Sequence, residues 1–357
     1  MSTVTVPGYH PSAFTFSWDR LPTITAHVGT GGTIRNAPEH FLVEELPAYE
    51  PSGSGTHFYM LIEKRNLTTA EVVQELVRRG IAERDIGVAG LKDKHAVTVQ
   101  WISVPRRAQT IASDLANVPG ITILDASYHK NKLAVGHLRG NRFTIRIQEV
   151  APHAGHAAED ILAELQRRGA PNYFGPQRFG AFGRNAYDGL AIVRGISVPG
   201  AERMQRFFVS ALQSHVFNAL LAARIRDDLF AGVVQGDWAK KHDTGGEFEV
   251  LQPETEQARV ERNDISATIP LHGQKVPLSR FAAGEREGAI LEQLGLTTAD
   301  FTSRDGDRRL SRIFIEHAHA TIDDGDLIVG FDLPKGSFAT TIIREITKQP
   351  IDAPALE

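Results

Sequence analysis

The sequence predicts a mixed α+β protein with two folded domains, and three observations carry the prediction. The chain has 357 residues, more than one typical domain gathers around a single core. Its apolar residues switch between a two-residue strand period and helical spacing along most of the length. No internal repeat or low-complexity tract interrupts that alternation, which sets solenoid architectures aside.

The elements follow in order. Residues 41–45 and 58–63 read as short strands, the first leading into a loop with Pro47, Pro51, Gly53 and Gly55. Thr68 and Glu71 have the spacing of a capping box. Val72, Val73, Leu76 and Val77 make the apolar stripe of a helix, and Gly80 stands where it should stop. Residues 86–89 and 97–104 read as buried strands joined by a tight turn over 90–96. Further strands are predicted at 121–128, 133–138 and 142–147, with Gly140 and Asn141 supplying a turn between the last two. A helix over 157–168 ends at Gly169, and Ala170 and Pro171 mark a domain boundary. Phe208, Leu212, Val216, Ala219, Leu220 and Ala223 recur at helical spacing and predict one long helix over 202–226. After a polar, turn-rich segment at 297–309, a strand at 327–333 precedes Ser337, placed to cap a last helix through Ile346.

Composition narrows the function classes. With 41% hydrophobic and 23% charged residues the chain is ordinary globular protein. It has no cysteine, which excludes disulfides and thiolate chemistry and leads to the expectation of a cytoplasmic protein. No secretory leader pattern or membrane-length apolar run is present, so no membrane association is expected. A net charge of −4 requires any nucleic-acid partner to meet a local basic surface. One candidate is the stretch 126–148, which has no acidic residue but carries Lys130, Lys132, Arg139, Arg142 and Arg146 with His129 and His137. It reads equally well as a solvated strand pair balanced by acids from elsewhere.

The sharpest chemical feature is Gly90-Leu91-Lys92-Asp93-Lys94, a carboxylate between two lysines in a turn joining apolar strands. Flanking cations favour the charged carboxylate, which then serves as nucleophile or base; a plain polar turn has the same residues. Other motifs fail. Gly29-Thr30-Gly31-Gly32-Thr33 lacks the Lys-Ser/Thr of a phosphate loop. His317 and His319 lack a third metal ligand at recognisable spacing, and Asp323-Asp324-Gly325-Asp326 lacks the glutamate of a calcium loop.

The run Ala89 to Thr98, with Gln100 and Trp101, resembles the signature of the TruD pseudouridine synthases. Further blocks resemble that family in order: Pro38-Glu39-His40-Phe41 with Val43 and Glu44; Gly140-Asn141-Arg142-Phe143; Asn172-Tyr173-Phe174-Gly175 with Gln177-Arg178-Phe179-Gly180; Ser210-Ala211-Leu212-Gln213-Ser214 with Phe217-Asn218; and Leu333 to Thr340 with Arg344-Glu345. The resemblance implies isomerisation of a uridine in tRNA, at position 13 of the D-arm, by a monomer that needs no cofactor, metal or protein partner. It implies a catalytic domain built on an antiparallel sheet with flanking helices, formed by residues 1–169 and 311–357, and an inserted α/β domain over 170–310.

It also implies site residues. Asp93 takes the catalytic position, either attacking C1′ or removing the 2′ proton. Phe41, Asn141, Phe143 and Phe338 match substrate-contacting positions, as expected for an extruded base held by stacking and edge hydrogen bonds. Arg35 stands where relatives often carry Lys, and Lys92, Lys94, Gln177 and Arg178 are expected to support or bind RNA. Lys64, Arg65, Lys130 and Arg139 are further phosphate candidates. A non-catalytic RNA-binding protein on the same scaffold is the alternative. A glycosidase would need a second carboxyl beside Asp93, and Glu39, Glu44 and Glu45 do not single one out.

Overall fold

In the computed structural model, which describes residues 4–351, all but one of the strands predicted in the first half join two strands from residues 316–334 in one eight-stranded sheet. Its strands are β1 (Phe41–Pro47), β2 (His57–Arg65), β3 (Gly87–Val88), β4 (Val97–Pro105), β5 (Ile121–His129), β6 (Leu138–Ile147), β7 (Glu316–Asp323) and β8 (Asp326–Pro334). They pair in the order β7-β8-β6-β1-β4-β2-β5, with β3 on β4. Every pairing is antiparallel except β1 with β4, which is parallel. The fold class is therefore α+β, as predicted, with one parallel pair at the centre of an otherwise antiparallel sheet.

Alternation fixes which side chains share a face. On β1 Phe41, Val43 and Glu45 are buried, and they lie opposite Ile145, Phe143 and Asn141 of β6. Phe143 in turn lies opposite Phe331 of β8. On β2 and β4, Lys64 pairs with Thr98 and Ile62 with Gln100, and all four are fully buried. Helix α1 (Thr69–Arg78) has the predicted capping box: the Thr68 hydroxyl accepts from the Glu71 N–H, and the Glu71 carboxylate accepts from the Thr68 N–H. Its Val72 and Leu76 complete a core with Phe58, Met60, Ile62, Ile102 and Val104.

Three local expectations need correction. Residues 133–138 do not form a strand; Gly136 takes φ 91° and the segment is a turn-containing loop that enters β6 at Leu138. Gly140 and Asn141 are not a turn but lie inside β6. The glycine is needed because β8 passes so close that a Cβ at 140 would sit 2.0 Å from the Leu333 carbonyl oxygen. Gly140→Ala is accordingly expected to separate β6 from β8 and to lower stability by ~1–3 kcal/mol or more, read as a lowered urea midpoint. The last helix, Ala339–Thr347, is preceded by Phe338 as its cap residue, with no side-chain cap from Ser337.

The chain divides into two units of dense internal contact: residues 27–166 with 315–336, which hold the large sheet, and residues 1–26, 167–314 and 337–357. The expected domains assigned both chain ends to the sheet-bearing part. In the structure residues 4–26 and 337–351 group with the middle of the chain, and the Glu345 carboxylate accepts from Ile24 N–H at 2.9 Å and from the Thr25 hydroxyl at 3.1 Å.

That second unit holds a four-stranded antiparallel sheet in the order 307–310, 265–271, 238–241, 247–249. Helix α2 (Ala154–Arg168) leads into it, and the long predicted helix, α3 (Glu202–Arg226), has the expected bounds. The chain enters and leaves through a two-strand ladder that pairs Pro171 with Arg312 and Ala170 with Ile313. Among the described residues no helix is long and apolar enough to cross a membrane, and no group of three His, Cys, Asp or Glu side chains is placed to hold a metal. His317 instead bonds Asp332 at 2.9 Å.

Candidate active site

The turn that carries Asp93 is held to the sheet from below by polar side chains. Gln100 donates to the Gly90 carbonyl at 3.3 Å, and the Thr69 hydroxyl donates to Gln100 at 2.8 Å while accepting the Lys92 N–H at 2.9 Å. Lys64 donates to the carbonyls of Leu67 and Asp93, the latter at 3.0 Å. Each is a buried group satisfied by the backbone of the turn, which removes freedom from the segment next to the carboxylate.

The two lysines do not grip Asp93 as the sequence suggested. Lys92 turns inward, and its ammonium meets Glu45 Oε2 at 2.6 Å, with side-chain exposures of 4% and 1%. Glu45 also accepts the Trp101 N–H at 3.4 Å. Lys94 is half-buried, and its charge reaches Glu71. The cation beside Asp93 is Arg35, whose Nη2 lies 3.5 Å from Asp93 Oδ2. Arg35 is held in the left-handed region at φ 66°, and its guanidinium packs over the Phe41 ring at 4.4 Å. Burial lowers its pKa, and Asp93 opposes that shift.

Phe41 meets Phe143 edge-on at 6.1 Å between centroids, and Phe143 meets Phe331 at 5.7 Å. All three rings are buried and form an aromatic row whose Phe41 end lies under Arg35. Several polar atoms of the same region are buried without a hydrogen-bond partner among the described residues: Arg35 Nε and Nη1, Asn141 Oδ1 and Thr98 Oγ1. Such atoms are costly unless something supplies the missing partner. The Asp93 side chain, by contrast, is 40% exposed.

The family model described as tRNA pseudouridine synthase D (TruD) matches residues 20–197 and 198–346. The chain belongs to the TruD family. Curated TruD relatives include the tRNA pseudouridine synthase D of Anaeromyxobacter dehalogenans strain 2CP-1, 45% identical over 94% of this chain and 98% of that protein. The enzyme of the same name from Thermus thermophilus is 45% identical over 93% of this chain and 94% of its own length. A crystal structure assigned as the TruD protein of Methanosarcina mazei shares the fold, with a TM-score of 0.75 at 22% identity over 97% of this chain and 99% of that one.

Within this TruD chain the structure brings together Arg35, Phe41, Lys92, Asp93, Asn141 and Phe143 in the sheet-bearing unit. Phe338, Gln177 and Arg178 belong to the other unit, where the Phe338 ring lies 5.8 Å from Phe174 and Arg178 packs over Phe174 at 5.4 Å. Buried Lys64 and Lys92 are not open phosphate contacts, and Arg65 pairs with Glu39. Arg142 and Arg146 of the basic stretch are offset by Asp332, Asp323 and Asp326. The sequence reading passed over Phe331, took Lys64 for a phosphate contact and left Glu45 as one of three ambiguous acids. Only Glu45 had a local signal, its i, i+2, i+4 alignment with Phe41 and Val43.

Lys64 offers a pH test. Burial, opposed by Asp93, lowers its pKa from 10.5 to about 8. Below pH 8 the amine is protonated folded and unfolded; between about pH 8 and 10.5 the unfolded chain binds more protons, so stability rises with pH across that window. Melting temperatures of Lys64→Met against wild type are expected to show that rise in the wild type only. Parallel curves would refute it.

Proposed function

We propose that this TruD-family isomerase converts uridine to pseudouridine at position 13 of the tRNA D-arm, with Asp93 acting directly on the ribose of the target nucleotide. The reaction breaks the N1–C1′ bond, turns the freed uracil and joins C5 to C1′; N1 gains a proton and C5 loses one, so atoms balance without a co-reactant. Asp93 contributes by attack on C1′ or by removal of the 2′ proton. The supporting observation is an accessible carboxylate on a turn fixed by buried side chains, beside a guanidinium whose Nε and Nη1 have no hydrogen-bond partner among the described residues; the Asn141 amide oxygen of the same sheet likewise has none among them.

In this reading Asn141 Oδ1 accepts the uracil N3–H, and Arg35 donates from Nε and Nη1, which have no partner among the described residues, to the sugar or phosphate next to the base as it enters. Phe41 and Phe143 form the floor beneath the everted nucleotide, and Phe338, Gln177 and Arg178 contact the RNA as well. Lys92 acts through Glu45 as a positioning residue, and Lys94 stays available to RNA. The enzyme works as a cytoplasmic monomer on tRNA with no further cofactor. Carbodiimide mapping of pseudouridine in tRNA incubated with and without the protein tests the assignment. A new modification at D-arm position 13 is expected; an unchanged D-arm would overturn it.

A further inference from the structure

Buried arginines in the unit formed by residues 1–26, 167–314 and 337–357 mostly meet a carboxylate or a fan of carbonyls, although Arg224 Nε and Arg308 Nη1 make no hydrogen bond to the described residues. Arg224 makes a two-pronged pair with Asp237 at 2.8 and 2.9 Å. Arg308 meets Glu287 at 3.2 Å. Arg312 uses all three guanidinium nitrogens on the Ser266 hydroxyl and the carbonyls of Arg168, Val260 and Ile265. Arg178 and Arg309 differ. Arg178 donates from Nε to Ser214 at 3.0 Å and from Nη2 to Ser210. Arg309 donates from Nε to the Asn172 carbonyl at 3.1 Å and from Nη2 to the Asn172 side chain.

In both, Nη1 makes no hydrogen bond to the described residues. No carboxylate among the described residues pairs with either. Both guanidiniums pack on the ring of Phe174, at 5.4 and 4.2 Å from its centroid, and Arg309 also lies 5.9 Å from the Phe338 ring. Two like charges are thus fixed against one apolar surface with one N–H edge of each left open. That arrangement is unfavourable in isolation and becomes favourable when an anion enters between them. Burial and the Arg178 charge lower the Arg309 pKa to about 9, and burial with Arg304 lowers that of Arg178, the direction expected of cations that lack a counter-charge.

We infer that Arg178 and Arg309 form a site for a backbone phosphodiester of the RNA substrate, with Phe174 as the platform that holds both guanidiniums in place. The inference rests on the tRNA reading above and adds to it a defined pair of phosphate ligands. Neither residue reads a base, so the site sets register and orientation on the RNA.

The test is the salt dependence of tRNA binding by the full chain, measured for wild type, Arg178→Gln, Arg309→Gln and the double variant. Each loss is expected to flatten the slope of log K against log salt by roughly 0.7–0.9, and the double variant by about twice that. Arg178→Lys and Arg309→Lys should keep the wild-type slope. An unchanged slope in the folded glutamine variants would assign the arginines to packing and overturn the site. Where a glutamine variant does not fold, amide exchange of the wild type decides: tRNA should slow exchange at 172–180 and 307–312, and unchanged exchange in both segments overturns the site. Pseudouridine formation by the wild type is followed in the same samples. Binding without product sinks the isomerase reading while the slopes still judge the arginines; product with insensitive slopes spares that reading and sinks the site.

Discussion

Replacing Asp93 with asparagine is expected to reduce single-turnover pseudouridine formation by ~10²–10⁴-fold or more, the range lost with an essential acid–base or nucleophilic group, while tRNA binding is retained or tightened. The amide keeps the shape of the side chain and leaves the main-chain anchors of the turn in place, since Lys64, Gln100 and Thr69 all hold backbone atoms. It removes the atom able to attack C1′ or take a proton, and one negative charge near an anionic ligand. In the proposed role of Asp93 the lost interaction exists only in the transition state, so kcat and kcat/KM should fall together. Full activity in the variant would show that Asp93 does not do the chemistry. Joint loss of product and tRNA affinity would show that it acts by holding the fold.

The second large effect belongs to Glu45 and Lys92. Their charges meet at 2.6 Å with almost no solvent access, so removing one partner strands the other in a low-dielectric setting. Glu45→Gln or Lys92→Met is expected to cost ~3–5 kcal/mol of stability, whereas Glu45→Leu with Lys92→Met should recover most of that loss, because a buried ion pair is worth little over an apolar replacement. The measurement is the urea midpoint of each variant. If the double variant regains its midpoint yet stays slow in product formation, the pair positions the Asp93 turn. If activity returns with stability, the pair serves only the core. Additive losses in the double variant would contradict the coupling.

These residues show what was legible before any coordinates. The Asp93 turn, the capping box at Thr68 and Glu71 and the helix at Glu202–Arg226 rest on local spacing, and local spacing is present in one sequence. The orientation of Lys92 rests on Glu45, 47 residues away, and nothing beside Lys92 tells whether it faces Asp93 or the sheet. Gly140 and Asn141 look like a hairpin turn because Gly-Asn is good turn chemistry; the strand that demands a glycine there arrives about 190 residues later. Phe331 joins Phe143 by the same distant pairing, so the aromatic row was half visible. Arg35 was named from resemblance alone, and its place beside Asp93 follows from β1 running parallel to β4, which brings the entry ends of both strands to one side.

The strand order has a bearing on how the protein is made. β6 lies between β1 and β8, and β8 is translated only after residue 325. Until then the nascent sheet ends at β6, whose outer row of peptide groups and the Phe143 ring await their last neighbour. A ribosome that stalls, or a message cut short, before that point releases a chain with an open, sticky margin instead of a partly working enzyme. Such fragments should be clients of chaperones and proteases until β8 is made.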